Sequence, residues 1–331
     1  MTSNSAENVL PKVVYLDRES LPARISIPEP SSPHTWCNFA RTEANQITAH
    51  CADATVVVTN KVPIGAAVLE ACPSIGHIAV TATGYNIIDL NACAEHGVSV
   101  SNIPSYAATT VAEHVMACTL SLRRQVIQYR QRVIDGAWQK SVTFCLFDKP
   151  INMLAGATLG IIGLGEIGRA TAQMAAALGM NVVYSSRQSY DVDFAQRVTL
   201  DELLQCSDVV SVHCALNDDT HNLLDAPELA QMPDHGILIN TARGGIVNEA
   251  AAASAIKNAT LGGLAFDVLV QEPPQHSPLL EIADRDNVII TPHIAWASDE
   301  AMQTLANIVS ANVDAYLRGA PQNLVSHPTK N

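Results

Sequence analysis

Residues 158–168 read Thr158-Leu159-Gly160-Ile161-Ile162-Gly163-Leu164-Gly165-Glu166-Ile167-Gly168. The apolar run predicts a strand over 158–162, and the Ala-rich stretch of helical period beyond it predicts a helix over 167–178, closed by Gly179. Between them stands a G-x-G-x-x-G. In a strand–turn–helix, Gly163 permits the tight turn, Gly165 lets a pyrophosphate approach the backbone, and Gly168 allows the helix to pack on the strand. Glu166 and Ile167 then open a helix whose N-terminus presents N–H groups and partial positive charge to phosphate. An ordinary structural turn is the alternative.

The same alternation of short β-branched runs and Ala-rich helical stretches extends in both directions, the pattern of βαβ units and parallel sheets, so the class is α/β. Upstream it predicts strands over 13–17, 55–59, 77–83 and 98–102, with helices over 64–72 and 89–96, the latter capped by Gly97. From 107 to 134, Val111, Val115, Ala117, Cys118, Leu122 and Val126 keep helical spacing, which predicts one long helix stopped at Asp135-Gly136. Downstream come strands over 182–185, 209–214, 237–240, 264–268 and 288–291. Helices alternate with them over 200–205, where Thr199 and Glu202 form a capping-box pattern, and over 249–259 and 299–317.

At 331 residues the chain is long for a single core, and two domains are expected. Hydrophobic residues make up 48% and charged residues 15%, enough apolar material to exclude a disordered chain. The formal net charge of −13 disfavours nucleic acid or an anionic membrane as partner. An anionic substrate must therefore be held by local positive groups. The N-terminal residues lack the basic and apolar segments of a signal peptide, and no run is long enough for a membrane helix, so a cytoplasmic protein is expected. Eight cysteines without a C-x-x-C pair, and histidines without metal-site spacing, predict reduced thiols and no metal.

Dinucleotide sites that use NAD place an acid at the end of the next strand, to hold the ribose 2′-hydroxyl. Here that strand ends in Ser185-Ser186-Arg187. A serine hydroxyl can donate to a 2′-phosphate and a guanidinium can pair with it, so Ser186 and Arg187 favour NADP over NAD. The alternative is that Arg187 is a solvated loop residue and Ser186 merely replaces the acid.

Three motifs follow at predicted strand ends: Asn240-Thr241-Ala242-Arg243-Gly244-Gly245, Phe266-Asp267-Val268 running on to Glu272-Pro273-Pro274, and Thr291-Pro292-His293-Ile294-Ala295. With Ala79–Asp89 and Ser121–Arg124 they make the chain resemble the D-isomer-specific 2-hydroxyacid dehydrogenases over nearly its whole length, most closely the glycerate dehydrogenase, hydroxypyruvate reductase and glyoxylate reductase branch. The resemblance implies that Arg243 binds substrate, that His293 is the acid/base and also contacts substrate, and that Glu272 is the partner of His293. The chemistry agrees. A planar guanidinium can hold an α-keto acid's carboxylate while polarising its carbonyl, and an imidazole can supply the proton the nascent alkoxide needs. A carboxylate on the other ring nitrogen would fix the tautomer and favour the protonated ring.

The resemblance further implies that the backbone N–H groups of Ala82, Thr83 and Gly84 bind the substrate carboxylate, and that Thr110, Thr241, Ala242 and Asp267 lie near the nicotinamide. His213-Cys214-Ala215-Leu216 departs from the family's His-Cys-Pro-Leu by one alanine, which loosens that turn and the cofactor contacts expected there. His114 and His213 are expected to be structural. Trp138 falls in a segment that in the family reaches a partner subunit, so a homodimer is expected; a role in shaping a neighbouring substrate pocket is the alternative.

The fold implied is two doubly wound lobes with a cleft between them: a flavodoxin-like substrate-binding domain, 1–106 with 297–331, and a Rossmann dinucleotide-binding domain, 107–296. The chain ends soon after the last helix, which argues against an appended regulatory domain. A phosphoglycerate- or formate-type dehydrogenase is a second reading, the former weakened by the lack of Lys or Arg in 79–89, and a nucleotide-sensing corepressor-like binding module is a third.

Overall fold

The computed structural model describes residues 10–326. Two compact units form: one runs to Tyr106 and resumes at Asp299, and the other is Ala107–Ser298.

In the first unit the strands are β1 (Lys12–Tyr15), β2 (Thr35–Asn38), β3 (Val56–Thr59), β4 (His77–Val80) and β5 (Ser99–Ser101). They lie in the order β2-β1-β3-β4-β5, all parallel, the order of flavodoxin-like sheets. A parallel sheet is covered on both faces, which is why Val56, Val57 and Val58 are all buried and read as a continuous apolar run. Helix Leu90–Glu95 is capped at its start by the Asp89 carboxylate, which accepts the Ala92 N–H at 3.0 Å, and Gly97 beyond its end takes φ +69°.

The second unit holds β6 (Thr158–Ile162), β7 (Asn181–Ser185), β8 (Gln196–Arg197), β9 (Val209–Val212), β10 (Ile237–Asn240), β11 (Gly263–Phe266) and β12 (Val288–Ile290). Their order is β8-β7-β6-β9-β10-β11-β12, again all parallel, the Rossmann sequence with one further strand. Side chains alternate between two cores. Leu159 and Ile161 of β6 pack with Val111, Val115, Ala172 and Ala175 from the helices on one face, whereas Ile162 joins Leu203, Val212 and Leu238 on the other. The order reverses between β6 and β9, and at such a switch point the strand ends leave a crevice for ligand. Helix Asp299–Leu317 returns to the first unit, where β13 (Leu324–Ser326) pairs antiparallel with β5.

The single helix expected over 107–134 is two, Ala108–Arg124 and Val126–Ile134, broken at Gln125 with φ +55°. Three carbonyls at the break find donors. The Gln125 N–H goes to Ser121, its side-chain amide to Leu122 at 2.8 Å, and the Asn152 N–H to Arg123 at 2.9 Å. That satisfaction offsets the left-handed residue, and a hydrophobic pattern cannot reveal it. β2 and β8, both at sheet edges, carry no buried run and were not expected; the strand expected over 77–83 stops at Val80, leaving 81–84 as a loop. No helix among the described residues is long and apolar enough to cross a membrane.

Candidate active site

The glycine turn leaves β6 at the switch point. Gly163 has φ +94°, and a Cβ on it would stand 2.9 Å from the Cys214 nitrogen. A Cβ on Gly168 would stand 2.2 Å from the Gly163 oxygen, so helix Glu166–Ala177 sits directly on the turn. Gly165 differs: a Cβ there would meet nothing within 4 Å. The first and third glycines are required by the protein's own packing, and the second opens a cradle at a helix N-terminus where a pyrophosphate fits.

At the end of β7, a cavity of about 390 Å³ is lined by Ser185, Ser186, Arg197, Val198, Thr199 and Glu202. Arg187 is exposed beside it and is not part of the lining. Arg197 was missed at the sequence level because it lies in a two-residue strand with no apolar pattern. Its guanidinium donates to the carbonyls of Ser186 at 2.9 Å and Arg187 at 3.3 Å, bracing the loop. Farther along the same loop, Arg169 stacks over Tyr190 at 4.4 Å, and the Tyr184 hydroxyl donates to the Tyr190 carbonyl and accepts its N–H. Glu202 is tied to the Thr199 N–H and hydroxyl, both at 2.9 Å, and these hydrogen bonds hold its pKa below the usual carboxylate range.

His213 follows β9, its Nε2 2.9 Å from the Ser211 hydroxyl, and desolvation pushes its pKa down to about 4, so the ring is neutral. At the end of β10, the Asn240 side chain accepts the Ala242 N–H and donates to the Arg243 carbonyl, shaping the turn that presents Arg243. The Arg243 guanidinium is exposed and donates to the Ala242 carbonyl at 2.6 Å. Beside it, Thr241 Oγ1 is buried and has no hydrogen-bond partner among the described residues. This orphaned hydroxyl, like the open cradle at Gly165, fits a polar cofactor at these strand ends. A Cβ on Gly244 would lie 2.1 Å from the Leu269 backbone, so the Arg243 turn rests on the segment leading to Glu272.

Glu272 and His293 meet there. Glu272 Oε2 lies 2.6 Å from His293 Nδ1, and Oε1 accepts the Leu269 N–H at 2.9 Å. The imidazole is about one-third exposed, and its Nε2 has no partner among the described residues. His293 stands at φ +55°, a conformation a non-glycine residue keeps only when its surroundings hold it. Asp267 does so. Only 3% exposed, its carboxylate accepts the N–H groups of Ile294 and Ala295, each at 2.8 Å, and the Thr291 hydroxyl at 2.6 Å. The Trp296 indole donates to the His293 carbonyl, and the Thr110 hydroxyl to that of Ala295.

Arg243, Glu272, His293, Asp267, Thr241 and Ala242 thus gather on neighbouring strand-end loops of the second unit, and Thr110, in the first turn of helix Ala108–Arg124, reaches them through the Ala295 carbonyl. Ala82, Thr83 and Gly84 belong to the first. There the Ala82 carbonyl accepts from Ile103, the Thr83 carbonyl from the Asn102 side chain, and the Thr83 hydroxyl donates to Ile103; the N–H groups of 82–84 have no acceptor among the described residues.

The family model of the D-isomer specific 2-hydroxyacid dehydrogenase NAD binding domain matches residues 116–295. Among curated proteins, the chain is similar to the glycerate dehydrogenase of Methylorubrum extorquens, 45% identical over 95% of this chain and 98% of that one. The hydroxypyruvate reductase of Blautia hydrogenotrophica is 36% identical over 86% of this chain and 89% of its own. Among solved structures, the NADPH-dependent glyoxylate/hydroxypyruvate reductase of Sinorhizobium meliloti, in complex with NADP and malonate, superposes with a TM-score of 0.81 at 26% identity, covering 97% of this chain and 99% of that one.

Proposed function

Because the chain belongs to the D-isomer specific 2-hydroxyacid dehydrogenase family, we propose that it reduces a small 2-keto acid, hydroxypyruvate or glyoxylate, to the D-2-hydroxy acid, and runs the reverse oxidation. The observation that carries this reading is the His293–Glu272 pair on the loop next to Arg243. When bound, the nicotinamide supplies the hydride to the carbonyl carbon. His293 gives the developing alkoxide a proton from Nε2, while Glu272 holds the ring through Nδ1 and so dictates which nitrogen faces substrate. Arg243 draws the carboxylate and polarises the carbonyl, and the N–H groups of Ala82, Thr83 and Gly84, which have no acceptor among the described residues, are the first unit's donors for a carboxylate.

On this reading, the first unit binds substrate and the second binds the dinucleotide. Gly163, Gly165, Glu166, Ile167 and Gly168 cradle the pyrophosphate, and Thr110, Thr241, Ala242 and Asp267 border the nicotinamide. NADP is the preferred cofactor. The missing acid at Ser186, the neighbouring Arg187 and the second guanidinium of Arg197 in the cavity wall support it.

A second copy of this chain is the proposed partner. Helix Val126–Ile134 and the segment after it expose Val126, Ile127 and Ile134, with Phe144 90% and Phe147 80% exposed, and the Trp138 indole ties that segment together by donating to the Phe144 carbonyl. So much clustered apolar surface is characteristic of an interface. The unpaired cysteines support a reducing, cytoplasmic setting.

The test is a panel of 2-keto acids assayed with NADPH and NADH, with both enantiomers of each product in reverse. Turnover of hydroxypyruvate or glyoxylate with NADPH and of only the D-product in reverse is expected. Inactivity on every 2-keto acid would refute the assignment, and light scattering at a monomer mass would refute the dimer.

A further inference from the structure

Helix Ala108–Arg124 buries Val111, Val115, Cys118 and Leu122, and half-buried His114 stands beside that stripe. Its Nε2 lies 3.2 Å from the Thr291 hydroxyl, on the loop that carries His293. Proton counting settles the direction. Thr291 has one hydroxyl proton, and the 2.6 Å contact to Asp267 Oδ1 uses it, since the carboxylate also accepts the Ile294 and Ala295 N–H groups and acts as acceptor at both oxygens. Thr291 can therefore only accept from His114, which makes His114 an Nε2–H tautomer.

The bonds form a chain. It runs from His114 Nε2–H to the Thr291 oxygen, from the Thr291 hydroxyl to Asp267, and on to the N–H groups of the two residues after His293. The His293 N–H itself goes to the carbonyls of Asp267 at 2.8 Å and Thr291 at 3.0 Å. Asp267 and Thr291 are tied to the sheet through their own N–H groups, which donate to the carbonyls of Asn240 on β10 and Phe266 on β11, and His114 adds a side-chain tie to Thr291 from the helix.

We propose that His114 is a positioning residue for His293, locking through Thr291 and Asp267 the loop that sets the imidazole's orientation. The inference rests on His293 being the proton donor. Three substitutions separate the outcomes: His114→Leu removes the donor and keeps bulk, His114→Gln restores an N–H at similar reach, and His114→Asn is polar but too short. Displacement of a reacting group by a fraction of an ångström should lower kcat about fivefold to tenfold in the leucine and asparagine variants, with KM for hydroxypyruvate little changed and glutamine within about twofold of wild type. Long-range proton–nitrogen spectra of histidine-labelled protein should show His114 as the Nε2–H tautomer, and the His293 resonances should move in His114→Asn but not in His114→Gln. Wild-type kcat in the asparagine variant, equal losses in asparagine and glutamine, or an Nδ1–H tautomer at His114 would overturn the proposal. Full activity of His293→Ala would instead overturn the reading beneath it. If the leucine variant does not fold, the glutamine–asparagine comparison decides alone.

Discussion

Glu272 reaches His293 with one carboxylate oxygen and the Leu269 N–H with the other, 2.6 and 2.9 Å away, so the group that orients the imidazole is itself held by the backbone. A carboxylate fixed at both oxygens cannot follow the ring if the ring moves. The pair behaves as a rigid unit on the loop beside Arg243.

Replacing His293 by alanine should therefore cost at least about 10² in kcat, the typical worth of acid/base chemistry, while NADPH binding followed by fluorescence stays within about twofold. Glu272→Gln keeps an acceptor but loses the charge and should cost at least about tenfold in kcat. Steady-state kinetics on hydroxypyruvate check both. A glutamine variant as active as wild type would mean that the carboxylate contributes only shape.

Cofactor choice should turn on Ser186. Ser186→Asp places a carboxylate where a 2′-phosphate would sit and offers an acceptor to a ribose hydroxyl, so kcat/KM should fall about 100-fold with NADPH and rise with NADH. Arg187→Ala should weaken NADPH alone. A wild-type enzyme that prefers NADH would remove the basis for both expectations.

The glycines of the turn should separate fold from ligand. Gly165→Ala adds a methyl to open space, so its Tm should stay within about 2 °C of wild type, as for other sites without neighbours, yet NADPH affinity should drop by about tenfold or more. Gly168→Ala drives a methyl towards the Gly163 carbonyl and should destabilise by about 2 kcal/mol. Calorimetric melting with and without cofactor distinguishes the two.

Acid sensitivity should originate in the two buried histidines whose pKa is pushed down to about 4, His213 beside the site and His77 far from it. His77 is fully buried, its ring nitrogens 2.8 and 2.9 Å from the Ser99 and Ser101 hydroxyls and its face stacked on Tyr316. Burial pushes its pKa down to about 4 from 6.5, with a hydrogen bond to Ser99 partly opposing. The unfolded chain thus binds a proton that the folded chain refuses. Stability from the neutral ring is complete above pH 6.5 and is lost as pH falls towards 4, by roughly 3 kcal/mol at most. Urea melts across that window should show the loss, and His77→Gln should remove about half of it, His213 supplying the rest; an unchanged slope in the variant would place the acid sensitivity elsewhere.

What the sequence made legible was whatever left a local signature. The strand–glycine–helix turn, the Thr199–Glu202 capping box and the ends of helix Asp299–Leu317 are all written in neighbouring residues. The break at Gln125 is not, because the donor from Asn152 lies 27 positions away along the chain and glutamine carries no turn signal. Arg197 escaped notice for a related reason: a two-residue edge strand has no period to detect. The family resemblance places Asp267 near the nicotinamide, but that both of its oxygens are also engaged by the His293 loop is visible only in the fold.

That last arrangement restricts how position 267 can vary. Asparagine has the shape of aspartate, but its amide would put N–H against the N–H of Ala295 in one orientation and against that of Ile294 in the other. Glutamate is a methylene too long for a site with 3% exposure. Both of the nearest chemical substitutes therefore lose, and a saturation library at 267 selected for turnover should return aspartate ahead of asparagine and glutamate.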